Sequence, residues 1–277
     1  MKISFFLGKG GVGKTTLSLL YAFNKGKVAV ISLDKAHNLK DALQHFSKEK
    51  FQNLHIEEVD IEEEIEKYLE NKKKELENKF SFFSIYNLDL FFENLKNAPG
   101  IEEEIYLYII KNRIEKLKKE DYDEIHFDMP PTALSLRILS LPQINLGFLN
   151  FLKDIRKKIY ERRKIIYKKE KDKVLEKLDV LEKFYKSLDK FFKSSTIYLV
   201  LNLDALSFRE TELILKKLKE FNFDWESIFL VFNKLKEDVS LSLIKNLAQK
   251  YECKDLFSFI ENYKDNIIFQ KLLKFEV

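Results

Sequence analysis

The sequence predicts an α/β fold, a mostly parallel sheet flanked by helices and interrupted by a helical insertion. Three observations lead there. Short apolar strand patterns alternate with helical ones, and parallel strands need crossovers of that kind. Four of the seven glycines, Gly8, Gly10, Gly11 and Gly13, fall in one short turn between the first strand and the first helix. One stretch, 143–195, breaks the rhythm with helical spacing and no strand pattern.

Taken in order, Ile3–Leu7 reads as a buried strand. Thr15–Asn24 has helical periodicity through Leu17, Leu20 and Tyr21, and Gly26 stands where a glycine would end it. Val28–Leu33 is a second strand and Leu54–Val59 a weaker third, followed by a charged helix over Ile61–Lys79. Glu102–Lys119 is helical, with Ile105, Ile109, Ile110 and Ile114 on one side. Glu124–Phe127 is a short strand that ends at Asp128. Thr196–Leu201 and Ile228–Phe232 are two more strands, each followed by a helical pattern. No internal repeat is visible. The expected organisation is a core from 1–142 and 196–277, with 143–195 as a helical insertion subdomain.

Within 153–193 there are 16 Lys and Arg against 8 Asp and Glu. Val174, Leu178, Leu181, Tyr185, Leu188 and Phe192 form a heptad-like stripe there. Such a stripe either packs on the domain or offers a face to a partner or client. His45, His55 and His126 are scattered, which suits structural or surface roles. Phe82, Phe83, Phe91 and Phe92 are read as local packing, with a partner-facing role as the alternative.

Composition excludes several classes. With 45% hydrophobic residues in 277, the chain can build a core. Charged residues reach 34%, but 49 Lys and Arg nearly balance 45 Asp and Glu. A net charge of +4 gives no reason to expect nucleic-acid binding. The single cysteine, Cys253, rules out a disulfide within the chain and a multi-thiolate metal site built by one chain. No apolar run is long enough for a transmembrane helix, and Ile3–Leu7 is too short for a signal-peptide core. A cytoplasmic location is expected.

Gly8-Lys9-Gly10-Gly11-Val12-Gly13-Lys14-Thr15 fits G-x-x-x-x-G-K-[ST], between a strand and a helix as that motif requires. Glycines let consecutive backbone N–H groups turn toward a polyphosphate, and the following helix adds its positive end. Lys14 is then placed to neutralise β- and γ-phosphates, and the Thr15 hydroxyl to bind Mg²⁺. Gly8, Gly10, Gly11, Val12, Gly13, Lys14, Thr15 and Thr16 are the expected nucleotide-binding residues. The fold expected is therefore that of a P-loop nucleoside triphosphatase.

Lys-Gly-Gly-Val-Gly-Lys-Thr-Thr, from Lys9 to Thr16, resembles the deviant Walker A loop of the ATPase class that contains ParA, MinD, the nitrogenase iron protein and the ArsA-type ATPases. Asp34-Lys35-Ala36-His37-Asn38-Leu39-Lys40-Asp41 resembles the switch I pattern D-P-A-H-[NS]-L-x-D of arsenite-pump and tail-anchored-protein-targeting ATPases, with Lys35 where that pattern has proline. Asp128-Met129-Pro130-Pro131-Thr132-Ala133-Leu134-Ser135-Leu136-Arg137 resembles switch II, D-T-A-P-T-G-H-T-L-R, with Ala133 and Leu134 replacing Gly and His. Ala98–Glu103 and Asp204–Glu212 resemble further blocks of the same family, and Asn233-Lys234 stands where the family presents an adenine-reading Asn.

The resemblance implies an ArsA-like ATPase that uses ATP and Mg²⁺ in a nucleotide-sandwich homodimer. It implies Asp34 as the residue positioning water, Lys9 as a lysine reaching the partner's nucleotide, Lys14 on the phosphates, and Thr15 with Asp128 (through water) on Mg²⁺. Asn233 would meet the adenine edge. Three outputs compete: an arsenite-pump-type role, targeting of hydrophobic membrane-protein segments, and a weakly catalytic regulatory scaffold of the ParA/MinD-like class. Cys253 alone cannot form the cysteine cluster of arsenite sensors, and no C-x-x-C clasp is present. A partner or hydrophobic client would be met through 143–195, with peripheral membrane association as a further option.

Overall fold

The computed structural model describes residues 1–23, 25–36, 39–44, 54–79, 88–167 and 172–271. Seven strands lie among them: β1 (Lys2–Leu7), β2 (Val28–Ser32), β3 (Leu54–Glu58), β4 (Glu124–Asp128), β5 (Thr196–Leu201), β6 (Ile228–Leu235) and β7 (Ile267–Lys271). The helices are α1 (Lys14–Leu20), α2 (Leu39–Leu43), α3 (Ile61–Lys79), α4 (Leu88–Lys96) and α5 (Ile101–Lys119). They continue as α6 (Thr132–Tyr167), α7 (Lys173–Lys193), α8 (Ala205–Glu220), α9 (Leu241–Lys250) and α10 (Lys254–Asn262). The strands form one sheet in the order β3-β2-β4-β1-β5-β6-β7, and every pairing is parallel.

The central strand β1 shows why its sequence is apolar on both faces. Phe5 stacks on Phe127 at 5.2 Å and meets Phe192 of α7 edge-on at 5.4 Å. Phe6 points the other way, stacked on Tyr198 at 4.8 Å and edge-on to Tyr21 at 5.7 Å. Helices cover both sides, so a continuous hydrophobic run suits the strand better than alternation. Beneath the glycine loop Phe6, Val12, Leu17, Val200 and Val231 make a separate small cluster.

Several expectations are revised. Helix α1 ends at Leu20 with Tyr21 as its cap, well before Gly26, whose backbone is not left-handed. The boundary placed between 142 and 143 falls inside α6, a continuous helix of 36 residues that contains Pro142. Proline removes one N–H from the ladder but does not stop this helix, because the core holds it on both sides. Leu139 and Leu149, before and after Pro142, are both buried in the main core with Leu188 and Phe192 of α7. Leu149 of α6 and Tyr185, Leu188 and Phe192 of α7 thus share one core with the sheet. The stripe on α7 divides: Tyr185, Leu188 and Phe192 are buried, whereas Val174 and Leu181 are exposed. Strand β7 and helices α2 and α4 gave no signal in the sequence.

Among the histidines, His126 is fully buried, with Nδ1 2.9 Å from the Ser18 carbonyl and Nε2 3.2 Å from Glu124, a structural role. His55 lies on β3, the edge strand, its ring edge-on to Tyr122. Phe92 packs in the core and Phe91 is exposed. His37, Asn38, His45, Phe82 and Phe83 lie outside the described residues.

Candidate active site

The site forms where β1, β4 and β2 lie side by side and their chains leave the carboxyl edge of the sheet. Parallel pairing sets Phe6 against Asp128, and Asp128 against Ser32. The loop Gly8–Gly13, Asp128 and Asp34 follow from those three strand ends, so the topology alone brings the three motifs together.

The loop's conformation depends on its glycines. Gly8 has φ 145°, and a Cβ there would lie 2.2 Å from the Val200 carbonyl oxygen of β5. Gly13, at φ 100°, starts α1, and a Cβ there would strike the Asn233 side-chain nitrogen at 2.4 Å. Two side chains from the end of β6 hold the outside of the loop. Asn233 Nδ2 donates to the Val12 carbonyl at 2.8 Å, and Lys234 Nζ donates to the Gly11 carbonyl at 2.6 Å. Lys234 has φ 58°, the left-handed region that non-glycine residues rarely occupy. With these carbonyls held outward, the loop's N–H groups are free to face an anion. Lys14 is nearly buried, and its ammonium arches back to the Lys9 carbonyl at 3.4 Å. Thr16 lies in the first turn of α1.

Asp128 lies below the loop and is completely buried. Its Oδ2 accepts from the Thr15 hydroxyl at 2.6 Å and the Ser32 hydroxyl at 3.3 Å. Its Oδ1 has no hydrogen-bond partner among the described residues. Burial pushes the carboxyl up to about 6, and the Asp34 charge adds to this. The Thr15 hydroxyl, the Lys14 ammonium and the Ser32 hydroxyl act in the opposite direction. A buried oxygen without a partner beside a threonine hydroxyl is a hard-oxygen donor set, which fits a hydrated Mg²⁺.

Asp34 stands two residues beyond Ser32. Its Oδ1 accepts from the Ala36 N–H at 3.1 Å, and its own N–H reaches the Ser32 hydroxyl at 3.4 Å. Lys9 is half-buried near Asp204, the N-cap of α8. Burial raises the Asp204 carboxyl, but the Ser207 backbone and hydroxyl and the Lys9 charge outweigh it. Thr132 begins α6, so Ala133 and Leu134 are helical and no left-handed glycine is needed there.

The structure therefore brings Lys9, the loop, Thr15, Asp34 and Asp128 to one edge, and places Asn233 against the loop. Sequence reading missed Ser32, Lys234, Glu102 and Glu103. Ser32 was reachable from strand register, since it pairs with Asp128 once β2 and β4 are neighbours. Lys234, Glu102 and Glu103 lie in segments that the family resemblance covers, but their contacts carry no sequence signal, because the partners are remote in the chain.

A strand–loop–helix with a threonine hydroxyl on a buried strand-end aspartate defines a P-loop nucleoside triphosphatase. The profile of the Anion-transporting ATPase family matches residues 1–277, and the chain belongs to that family; it is an ATPase. It is similar to a protein of Aquifex aeolicus (strain VF5) proposed to be an arsenical pump-driving ATPase, 32% identical over 95% of this chain and 89% of that protein. It is also similar to the ATPase ASNA1 homolog of Plasmodium vivax (strain Salvador I), 35% identical over 56% of this chain and 41% of that protein. The ATPase ASNA1 homolog of Entamoeba histolytica is 33% identical over 57% of this chain and 49% of its own length.

Gly8 and Gly10 give a paired test of the loop. Gly10 has open space where a Cβ would go and no positive φ. Gly8→Ala is expected to cost about 2–4 kcal/mol of unfolding free energy, from backbone strain and the clash. Gly10→Ala is expected to cost less than about 0.5 kcal/mol. Urea unfolding of both variants reads the difference.

Proposed function

We propose that this ATPase uses Mg²⁺ and works as a nucleotide-sandwich homodimer, whose cycle moves an apolar face of α6 that receives a hydrophobic helix of a client protein. The observation that carries this reading is α6. It begins directly after the Asp128-Met129-Pro130-Pro131 turn and continues without interruption to Tyr167. Along it Ile144, Phe148, Phe151, Ile155 and Ile159 recur at steps of three and four, all between 38% and 62% exposed. Any shift of the turn at Asp128 is thus carried by a rigid rod to an apolar surface.

The chemistry follows from position and charge. Lys14 and the loop N–H groups would hold the phosphates, with Thr15 and Asp128 holding Mg²⁺, Asp128 through water. The bound cation would supply charge neutralisation at the β- and γ-phosphates. Asp34 has one oxygen committed to Ala36, leaving the other to accept from the attacking water. Asn233 commits its Nδ2 to Val12, leaving its oxygen for the adenine amino group. Lys9 would leave Asp204 and reach the partner's γ-phosphate, where charge grows during transfer.

The occupant of the α6 face is argued from size and charge. The stripe from Ile144 to Ile159 is about 22 Å long at ~1.5 Å per residue. That approaches the ~30 Å of a membrane-spanning helix. The excess of Lys and Arg over 153–193 favours clients with anionic flanks, and would also favour an anionic membrane surface. Among the described residues no helix is long and apolar enough to cross a membrane.

In phosphate-release assays with Mg²⁺ and ATP, an apolar helical peptide of about 20 residues is expected to change turnover. Phe148→Ser/Phe151→Ser is expected to abolish that response. If the peptide changes nothing while anionic vesicles do, the face is a membrane surface. No turnover under any condition would leave a nucleotide-binding scaffold.

Light scattering with a non-hydrolysable ATP analogue and Mg²⁺ tests the sandwich. The wild type is expected to double in mass at micromolar concentration. Lys9→Ala is expected to bind nucleotide as tightly but to dimerise more weakly. A wild type that stays monomeric contradicts the sandwich.

A further inference from the structure

The loop that carries Asp34 is anchored at both ends. At its start the Leu33 N–H bonds the Asp128 carbonyl at 2.9 Å. At its far end Glu58 accepts from the Leu39 N–H at 2.7 Å and the Lys40 N–H at 3.2 Å, and Leu39 is buried. Between these anchors lies the turn Asp34-Lys35-Ala36, in which the Asp34 side chain bonds the N–H two residues on. In such a turn the middle position suits proline, whose fixed φ stiffens it. Here the middle residue is Lys35, with no such restriction.

The Lys35 ammonium is 3.0 Å from Glu102 Oε1, in the first turn of α5. That helix end is itself firmly held. Glu103, the next residue, pairs with Arg137 of α6 at 2.9 Å, and Glu104 accepts from the Tyr185 hydroxyl of α7 at 2.8 Å. Three consecutive glutamates thus tie one helix end to three other elements, and their charges suit a helix N-terminus. Lys35, Glu102, Glu103 and Arg137 line one cleft of about 700 Å³. Tyr106, one turn along α5, is fully buried. Burial raises its pKa, and the carboxylates of Glu102, Asp34 and Glu103 raise it further.

We infer that Lys35, held by Glu102, is a positioning residue for Asp34, replacing with an ion pair the stiffness a proline would supply. This inference rests on the proposed role of Asp34 in orienting water. Among the described residues the Lys35 ammonium pairs with Glu102, outside the phosphate loop, and reaches Asp34 through the turn. Its loss therefore changes how often Asp34 points correctly and leaves ATP binding alone.

The test is steady-state ATP turnover with Mg²⁺, reading kcat and KM separately. Because the pair is partly exposed, the expected effect is modest: kcat down about threefold to fivefold in Lys35→Ala and in Glu102→Gln, with KM unchanged. The double variant is expected to fall no further than the worse single one. Lys35→Pro is expected to recover most of the rate. Raising KCl is expected to lower wild-type kcat but not that of Lys35→Pro, since salt screens an ion pair and not a ring. Wild-type kcat in Lys35→Ala, or effects that multiply in the double variant, overturns the inference while leaving the catalytic reading intact. Unchanged turnover in Asp34→Asn overturns the role of Asp34, and this inference with it.

Discussion

The buried carboxylate of Asp128 is the constraint on which the rest of the site depends. It lies at the end of β4, between β1 and β2, out of contact with water. A carboxylate in that position is costly unless its charge is met. Thr15, Ser32 and Lys14 meet part of it, and one oxygen is left unpartnered. The strand order makes this possible, since only neighbours of β4 can bring a loop hydroxyl and a strand hydroxyl to the same oxygen. The same order places Asp34 just beyond Ser32, so the groups proposed for cation, phosphate and water share one sheet edge.

From that edge two helices run outward. Helix α6 starts at the Asp128 turn and carries the exposed apolar stripe. Helix α5 presents three glutamates that hold the Asp34 turn, α6 and α7. The ion pairs of Glu102 and Glu103 thus lie between the Asp34 turn, α5 and α6. The sheet is packed on both faces by rings such as Phe5 and Phe6, and has little room to yield.

Much of this was legible in the sequence, for identifiable reasons. Strands β1, β2, β4 and β5 are doubly covered and short, so their apolar runs stand out. The phosphate loop is visible because a polyphosphate needs glycine backbone at fixed spacing. The boundary expected at 142/143 rests on the loss of strand pattern after Gln143, which one long continuing helix produces as readily as a separate insertion. The exposed stripe on α6 was missed because Ile144, Phe148 and Phe151 have the spacing of a buried face. Only packing shows that the sheet is covered by other residues. β7 was invisible because an edge strand such as Ile267–Lys271 is half exposed and short. Glu102 and Glu103 gave no signal as partners, because a helix N-terminus attracts glutamates anyway.

The central claim is that the Asp128 charge is completed by a cation that arrives with nucleotide. The folded chain holds a proton on Asp128 up to about pH 6, against 3.8 for the free group. Between those values the folded state binds a proton that the unfolded chain has lost, so the ionised carboxylate is a stability cost that is present above about pH 6 and absent below about pH 4. In the proposed reading a bound cation would favour the ionised Asp128 carboxylate, and its proton would be released. Calorimetric titration with pre-formed Mg²⁺–ATP, in two buffers of different ionisation heat, measures this directly. The account predicts release of about half a proton per chain at pH 6, falling close to zero at pH 7.5, and none in Asp128→Asn. Proton release that is the same at both pH values, or unchanged in Asp128→Asn, would contradict it.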